Sequence, residues 1–555
     1  MTRLSLPLDI LKSHYDVVVV GSGYGGAVAA SRLSRCGQNI CVLERGKEFV
    51  TGEFPENFRE IRRELHVSGK SVSVGRTDAL FQFTTGRHIN VLTGCGLGGG
   101  SLVNAAVALR PDRRMFGDHA WPSEFLSDGL LNEGFARAAD MLRPSTYIHS
   151  ESLTKYKALE KASGPLSAKP RPAPIAVNFE ELRNSADITQ PACTLCGDCC
   201  SGCNVGAKNT LPLTYLPDAV AHGAQIFTGA SVSHIERDED GLWRVWFSAL
   251  AQGKKEPSTP EKCVSAKLII LAAGTIGTTK ILLRSQESGL AVSDRLGRKF
   301  STNGDIIAFG YGADEKVNAI GVGTPPKAET DTVGPCVAGQ IKIGDPESLD
   351  NEMYVQEGVM PSSLAPLLPV AFIPDGKFLG AAQSLLKGVY NGPFSRLQTF
   401  FVVSHDEACG RIILEDGQID IDWPDVAAQG VYRRIDAILE KVVSATGANY
   451  IKSPLPNALA GSKPVTAHPL GGCSTGRTAN SGVVNHKGQV FDTEGNTGGS
   501  KDAVHEGLYV CDGSIMPRSL GVNPLLTITA LTERAMIHIA RDYGWQFNTI
   551  SLATK

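Results

Sequence analysis

Neither sign of charge dominates this 555-residue sequence: 54 Lys and Arg stand against 57 Asp and Glu, a formal net charge of −3. That balance excludes the broad electrostatic footprint of a nucleic-acid or polyanion binder, and no charged tail supplies one locally. No sustained apolar segment precedes Asp16 and no run is long enough to cross a bilayer, so neither a secretory signal nor a membrane span is expected. The expected location is the cytoplasm. Internal repeats and low-complexity tracts are absent too, which excludes repeat arrays and linker-dominated chains.

What is present begins with size, since 42% apolar residues over this length predict large cores and more than one domain. Thirteen cysteines do not read as a disulfide framework in a reducing compartment. Five of them fall between Cys193 and Cys203; Cys36, Cys41, Cys95, Cys263, Cys336, Cys409, Cys473 and Cys511 are dispersed and read as small buried hydrophobes. Glycine, at 60 residues, exceeds the usual share of about 7%. The excess gathers near Gly21, Gly94 and Gly471, as expected of backbone held close to a ligand.

The chain is organised around Tyr15 to Gly46. Asp16 to Val20 is a β-branched run suited to a strand buried on both faces, and it enters the turn Gly21-Ser22-Gly23-Tyr24-Gly25-Gly26 directly. An alanine-rich helix follows, Gly37 stops it, and Ile40 to Leu43 is a second strand ending at Glu44. Gly21 permits the tight turn, Gly23 clears the approach of a pyrophosphate, and Gly26 lets helix pack on strand. The helix N-terminus turns its positive end to the phosphates. Glu44 follows Gly26 at close to the roughly 20-residue offset of the acid that takes a ribose hydroxyl. Together these predict dinucleotide binding in an α/β, Rossmann-like unit.

Thr51 to Gly86 shows little periodicity and is expected to be loop-rich. In Asn90-Val-Leu-Thr-Gly-Cys-Gly-Leu-Gly-Gly-Gly-Ser101-Leu-Val-Asn104, glycines at 94, 96, 98, 99 and 100 disfavour helix and central strand, because each carries a large backbone entropy cost. They fit a loop packed against a flat ligand.

At this point VVVVGSGYGG, TGCGLGGGSLVNAAVALRP, HPLGGC and GLYVCDGSIMPRSLGVNPLLTITALTER resemble glucose-methanol-choline (GMC) oxidoreductases, and within them the cholesterol oxidase branch. The resemblance implies FAD. It implies cofactor contacts at Gly21, Gly23, Tyr24, Gly25, Gly26, Glu44, Arg45, Gly94, Gly98, Gly99, Gly100, Ser101 and Asn104, and further along at Val232, Gly274, Asp512, Gly513, Asn523, Pro524 and Leu525. Residues 507–513, a strand delivering an acid and a glycine at its end, independently suit a ribityl chain. The implied organisation is a discontinuous FAD-binding domain (10–115, 204–308 and 459–552), an insertion with the cysteines (116–203), and a substrate domain on a mainly antiparallel sheet with helices (309–458). Ser395 to Val403 is the clearest strand of that sheet.

His468 lies in a Pro-Gly-Gly turn and Asn523 precedes an apolar helix. By resemblance they meet the substrate hydroxyl beside the flavin. The chemistry suits them: an imidazole with a reference pKa near 6.5 accepts a hydroxyl proton at neutral pH, and an amide orients the oxygen without competing for that proton. Where the resembled branch places a glutamate near the substrate, in a stretch like MPSSLAPLL, this sequence has Ala365, which can do no acid–base work. Glu357, Asp406 and Glu407 are the candidates to substitute for it, with an ordinary surface carboxylate as the other reading of each.

Cys193-Thr-Leu-Cys196-Gly-Asp-Cys199-Cys200-Ser-Gly-Cys203 has two-residue gaps that let thiolates converge on one centre. An iron-sulfur cluster (4Fe-4S or 3Fe-4S) is the first expectation, a structural zinc the second, uncoordinated thiols the third. The expected function is FAD-dependent oxidation of an alcohol, with electrons relayed through a cluster to a protein or quinone acceptor. The alternatives are an oxygen-using sterol or alcohol oxidase without a cluster, and a non-catalytic flavin and cysteine redox carrier.

Overall fold

Nine strands form the sheet that carries the glycine fingerprint, and its centre is parallel. In this computed structural model, which describes residues 3–547 apart from 71, 251–261, 325–331, 346, 369–387, 453–462 and 496–502, Gln225–Thr228, Ile40–Glu44, His14–Val20 and Lys262–Leu271 run side by side. Val17, Val18 and Val19 are wholly buried, as an apolar run covered on both faces requires. Besides His14–Val20, Lys262–Leu271 has two further neighbours: its first half pairs antiparallel with Trp243–Ala249, and its last three residues pair parallel with Val504–Val510. A C-terminal strand is thereby inserted one strand away from His14–Val20.

Helices cover this sheet. Tyr24–Ser34 leaves the fingerprint and packs against the C-terminal helix Leu525–Asp542, where Arg32 pairs with Glu533 at 2.7 Å. Leu130–Leu142, from the segment that also carries the cysteines, packs on the same C-terminal helix. Among the described residues no helix is long and apolar enough to cross a membrane.

A second sheet of six strands is antiparallel throughout, in the order Asn449–Lys452, Ile306–Tyr311, Gln398–Ser404, Ser348–Gly358, Gly339–Asp345 and Arg171–Pro172. Gly430–Ser444 lays Ile435, Leu439, Val442 and Val443 against Phe400, Val402 and Val355. A fully buried ion pair fixes one margin: Lys155 Nζ lies 2.7 Å from Glu357, which also accepts from the Ala338 and Gly339 amides. The chain is thus mixed α/β. The stretch expected to be loop-rich instead contains strands Leu65–Gly69, Val72–Val74 and Phe81–Thr85, which join Asn90–Gly94 and Val465–Thr466 in a third sheet. Alternation there is weak because Leu65, Val72 and Phe81 line a cavity, not a closed core.

Candidate active site

All three sheets contribute walls to one cavity of about 1920 Å³. This exceeds the roughly 300–1,000 Å³ of an ordinary small-molecule pocket and leaves room for a dinucleotide and a second, bulky molecule. On one side lie the glycine turns. A Cβ at Gly23 or Gly100 would meet nothing within 4 Å, whereas one at Gly99 would lie 3.0 Å from Gly23 Cα. Two side-chain-free turns therefore pack together beside open space at a helix N-terminus, the fit that a pyrophosphate requires.

Of the residues expected at the cofactor, Gly21, Gly23, Tyr24, Gly25, Glu44, Arg45, Gly94, Gly99, Gly100, Asn104, Val232, Gly274, Asp512, Gly513, Asn523, Pro524 and Leu525 line this cavity. Gly26, Gly98 and Ser101 do not; they sit behind the wall. A Cβ at Gly26 would lie 1.9 Å from the Gly21 carbonyl oxygen, so its role is close packing of helix on turn. Ser22 Oγ accepts from the Gly98 amide at 2.9 Å, and Ser101 Oγ donates to the Gly98 carbonyl at 2.7 Å, so this pair braces the loop.

The two acids are held by the protein itself. Glu44 accepts from the Ser22 amide and hydroxyl and from the Gly46 amide, which ties the end of its strand to the fingerprint turn. Asp512 accepts from Gly274 N, Thr278 Oγ1, Ser514 N and Ser514 Oγ. Four donors fill a carboxylate's roughly four lone-pair positions. Burial still holds its carboxyl above the usual range. Its service is to join the start of helix Gly274–Glu287 to the turn at Gly513, which itself faces the cavity.

His468 and Asn523 line the same cavity. Asp305 shapes the histidine turn by accepting from the Ala467 and His468 amides at 2.9 and 3.1 Å, and its Oδ2 lies 3.1 Å from His468 Nδ1. Asp305 Oδ1 and His468 Nδ1 are buried without a hydrogen-bond partner among the described residues. This sets a carboxylate directly beside the imidazole. Asn523 makes a reciprocal amide pair with Gln356, accepting from its Nε2 at 2.7 Å and donating to its Oε1 at 3.3 Å. Among the described residues the second N–H of Asn523 has no partner, and the residue lines the cavity.

Sequence reasoning missed Asp305 and Gln356, and no local motif marks either. The carboxylates it weighed lie elsewhere. Glu357 is committed to Lys155; Asp406 is buried against Ser301, Thr302 and Gly304; Glu407 is exposed. Ala365 is buried in an apolar cluster behind Leu364, which does line the cavity. The residue that meets Asn523 is Gln356, next to Glu357 on an extended strand and so on the opposite face.

Of the five clustered cysteines, Cys193, Cys196, Cys199 and Cys203 line a small separate cavity of about 20 Å³, and Cys200 lines the large one. Burial pushes the Cys193 thiol up to about 12 and that of Cys199 well above its usual value. Lys208, fully buried beside them, donates to the Leu102, Asn104 and Cys199 carbonyls. Among the described residues, the ligand-type atoms found within 4.8 Å of one another are those of Asp128, His486 and His538, not three cysteine sulfurs. The compact tetrahedron of a zinc site, with sulfurs about 2.3 Å from the metal, is therefore not preformed. At the Asp128 group the Arg534 guanidinium already pairs with Asp128, filling the place of a cation.

With this geometry in hand, comparisons with known proteins are informative. Family models described as GMC oxidoreductase match residues 15–303 and 427–532. A cholesterol oxidase of Mycobacterium tuberculosis (strain ATCC 25618 / H37Rv) is 27% identical over 570 residues, spanning 95% of this chain and 91% of that one. The long-chain-alcohol oxidase FAO4B of Arabidopsis thaliana is 25% identical, over 94% of this chain and 66% of its own length. Among solved structures, pyridoxine 4-oxidase from Mesorbium loti superposes with a TM-score of 0.58 at 16% identity, covering 95% of this chain and 99% of that one. A fungal aryl-alcohol oxidase gives 0.57 at 15%, covering 96% and 100%.

Proposed function

This chain belongs to the GMC oxidoreductase family, and from that premise we propose that it oxidises a bulky apolar alcohol to a carbonyl and passes the electrons to oxygen. FAD-dependent alcohol oxidation is the chemistry of the family. The observation that carries the substrate class is the apolar part of the lining, Phe81, Leu92, Ile306, Ile307, Met360 and Phe401, in the same cavity as His468 and Asn523. Relatives named for cholesterol and long-chain alcohols support an apolar substrate and oxygen as acceptor.

FAD, when bound, supplies the hydride acceptor. His468 takes the hydroxyl proton at Nε2, since Nδ1 is turned to Asp305. Asp305 then faces an imidazolium, and the attraction favours the transfer. Asn523 offers its free N–H to the substrate oxygen as negative charge gathers there, and Gln356 keeps the amide from rotating. Gln356→Leu is expected to slow flavin reduction by about 10-fold, within the scale of a lost neutral hydrogen bond at a reacting centre. Rapid-mixing reduction with saturating alcohol checks this, and an unchanged rate removes Gln356 from the positioning of Asn523.

The proposal is tested by offering sterols and long-chain alcohols under air and measuring carbonyl and hydrogen peroxide together. Equimolar appearance supports an oxidase. Carbonyl formed only with an added quinone or protein acceptor overturns the oxygen-using part. A second reading, electron relay through an iron-sulfur centre, rests on the four thiols of Cys193, Cys196, Cys199 and Cys203 around one small cavity. Such a centre, with iron and sulfide between the thiolates, spaces the sulfurs more widely than zinc does. Anaerobic purification with iron, zinc and acid-labile sulfide assays separates the readings. Iron and sulfide in proportion to flavin would bring the relay forward, and flavin alone would end it.

A further inference from the structure

Cys200 and Cys336 are far apart in sequence, yet their sulfurs lie 3.3 Å apart. Cys200 sits in the short turn Cys199–Ser201 and lines the large cavity beside Val359 and Met360. Cys336 is wholly buried just before the strand Gly339–Asp345, with its sulfur against the Val359 carbonyl at 3.7 Å. Both segments are pinned by buried lysines. Lys208 holds the Cys199 carbonyl at 3.0 Å; Lys155, locked to Glu357, holds the Pro335 carbonyl at 2.8 Å. The two thiols are kept in contact by fixed backbone, and a disulfide of about 2.05 Å requires only a small further approach.

We propose that Cys200 and Cys336 form a reversible oxidation site on the substrate-cavity wall, closing to a disulfide with hydrogen peroxide as oxidant. Cys200, the sulfur reachable from the cavity, attacks one peroxide oxygen. An S–O bond forms, the O–O bond breaks, and the leaving hydroxide takes the thiol proton to become water. Cys336 then attacks the sulfenic sulfur: the S–S bond forms, the S–O bond breaks, and the second hydroxide leaves with the Cys336 proton. Two thiols and one peroxide give one disulfide and two waters, with two electrons passing from sulfur to oxygen. Peroxide is also the product of the oxygen-using reaction proposed above, but the site does not depend on it, because the oxidant can be supplied from outside.

The holoenzyme, without substrate, is treated with hydrogen peroxide, blocked with an alkylating reagent and digested without reductant. The expected result is a single linked species joining the peptides of Cys200 and Cys336, dispersed by dithiothreitol, with two thiols fewer than before treatment. Cys336→Ser should leave Cys200 as a sulfenic acid that dimedone traps, and wild-type enzyme should show little of that adduct. Linkage of Cys200 to Cys199 or Cys203, or sulfinic acid at Cys200 with Cys336 still alkylated, overturns the assignment. The wild-type peptide map decides the matter even if the variant does not fold. Because no alcohol is present, a failure here is distinct from a failure to detect oxidase turnover.

Discussion

His468→Ala is expected to slow anaerobic flavin reduction by at least about 10²-fold, the lower end for loss of a positioned acid–base group, while the flavin spectrum of the purified enzyme stays in place. The distinction matters because the change leaves the glycines from Gly21 to Gly26 and from Gly94 to Gly100 intact, so loss of the imidazole should not release the cofactor. Asp305 sharpens the expectation. In the wild type its carboxylate lies 3.1 Å from Nδ1 and gains a cationic partner when the substrate proton moves. In the variant the same buried carboxylate keeps its backbone amide donors but gains no cationic partner, and the proton must reach bulk water unaided. Reduction traces with an excess of alcohol give the rate directly, and an unchanged trace would remove His468 from the chemistry.

Gly25→Ala is expected to yield little holoenzyme. A Cβ at this position would stand 1.4 Å from the Cys511 carbonyl oxygen, an overlap with main chain that no rotamer relieves. The cost should exceed the ~1–3 kcal/mol of an ordinary overpacked core, because relief requires the helix Tyr24–Ser34 to lift from the strand Val504–Val510 and the turn after it. That movement would also pull Gly23 away from Gly99. The ratio of flavin to protein absorbance after purification measures the outcome, and a normal ratio would show that the contact yields.

Much of this was legible in the residues. The strand, turn, helix and strand from His14 to Glu44 follow from a β-branched run, three glycines with separate steric duties and a small-residue helix, all local signals. His468 and Asn523 were legible as motif residues, and the structure brings them to one cavity. Their neighbours were not, because Asp305 and Gln356 reach the site only through the antiparallel sheet, whose register no local pattern reveals. The strands from Leu65 to Thr85 were hidden for a related reason: side chains facing a cavity do not follow the in-and-out alternation of a closed core. The cysteine spacing left open which four of the five thiols share one centre, and a 3₁₀ turn at Cys199–Ser201 sends adjacent residues in different directions. Only coordinates reveal that Cys200 keeps company with Cys336.

The contact of Gly25 with Cys511, and the ion pair of Arg32 with Glu533, have a consequence for biosynthesis. At about 5–20 residues per second, roughly half a minute or more of translation separates the emergence of the fingerprint helix from that of the segments that cover it. During that interval the helix Tyr24–Ser34 lacks its partner Leu525–Asp542, and Lys262–Leu271 lacks Val504–Val510 on its edge. Cofactor loading therefore belongs after these segments have docked. Any truncation or fusion that hinders docking of Leu525–Asp542 should yield apoprotein, even where every residue named at the glycine turns is intact.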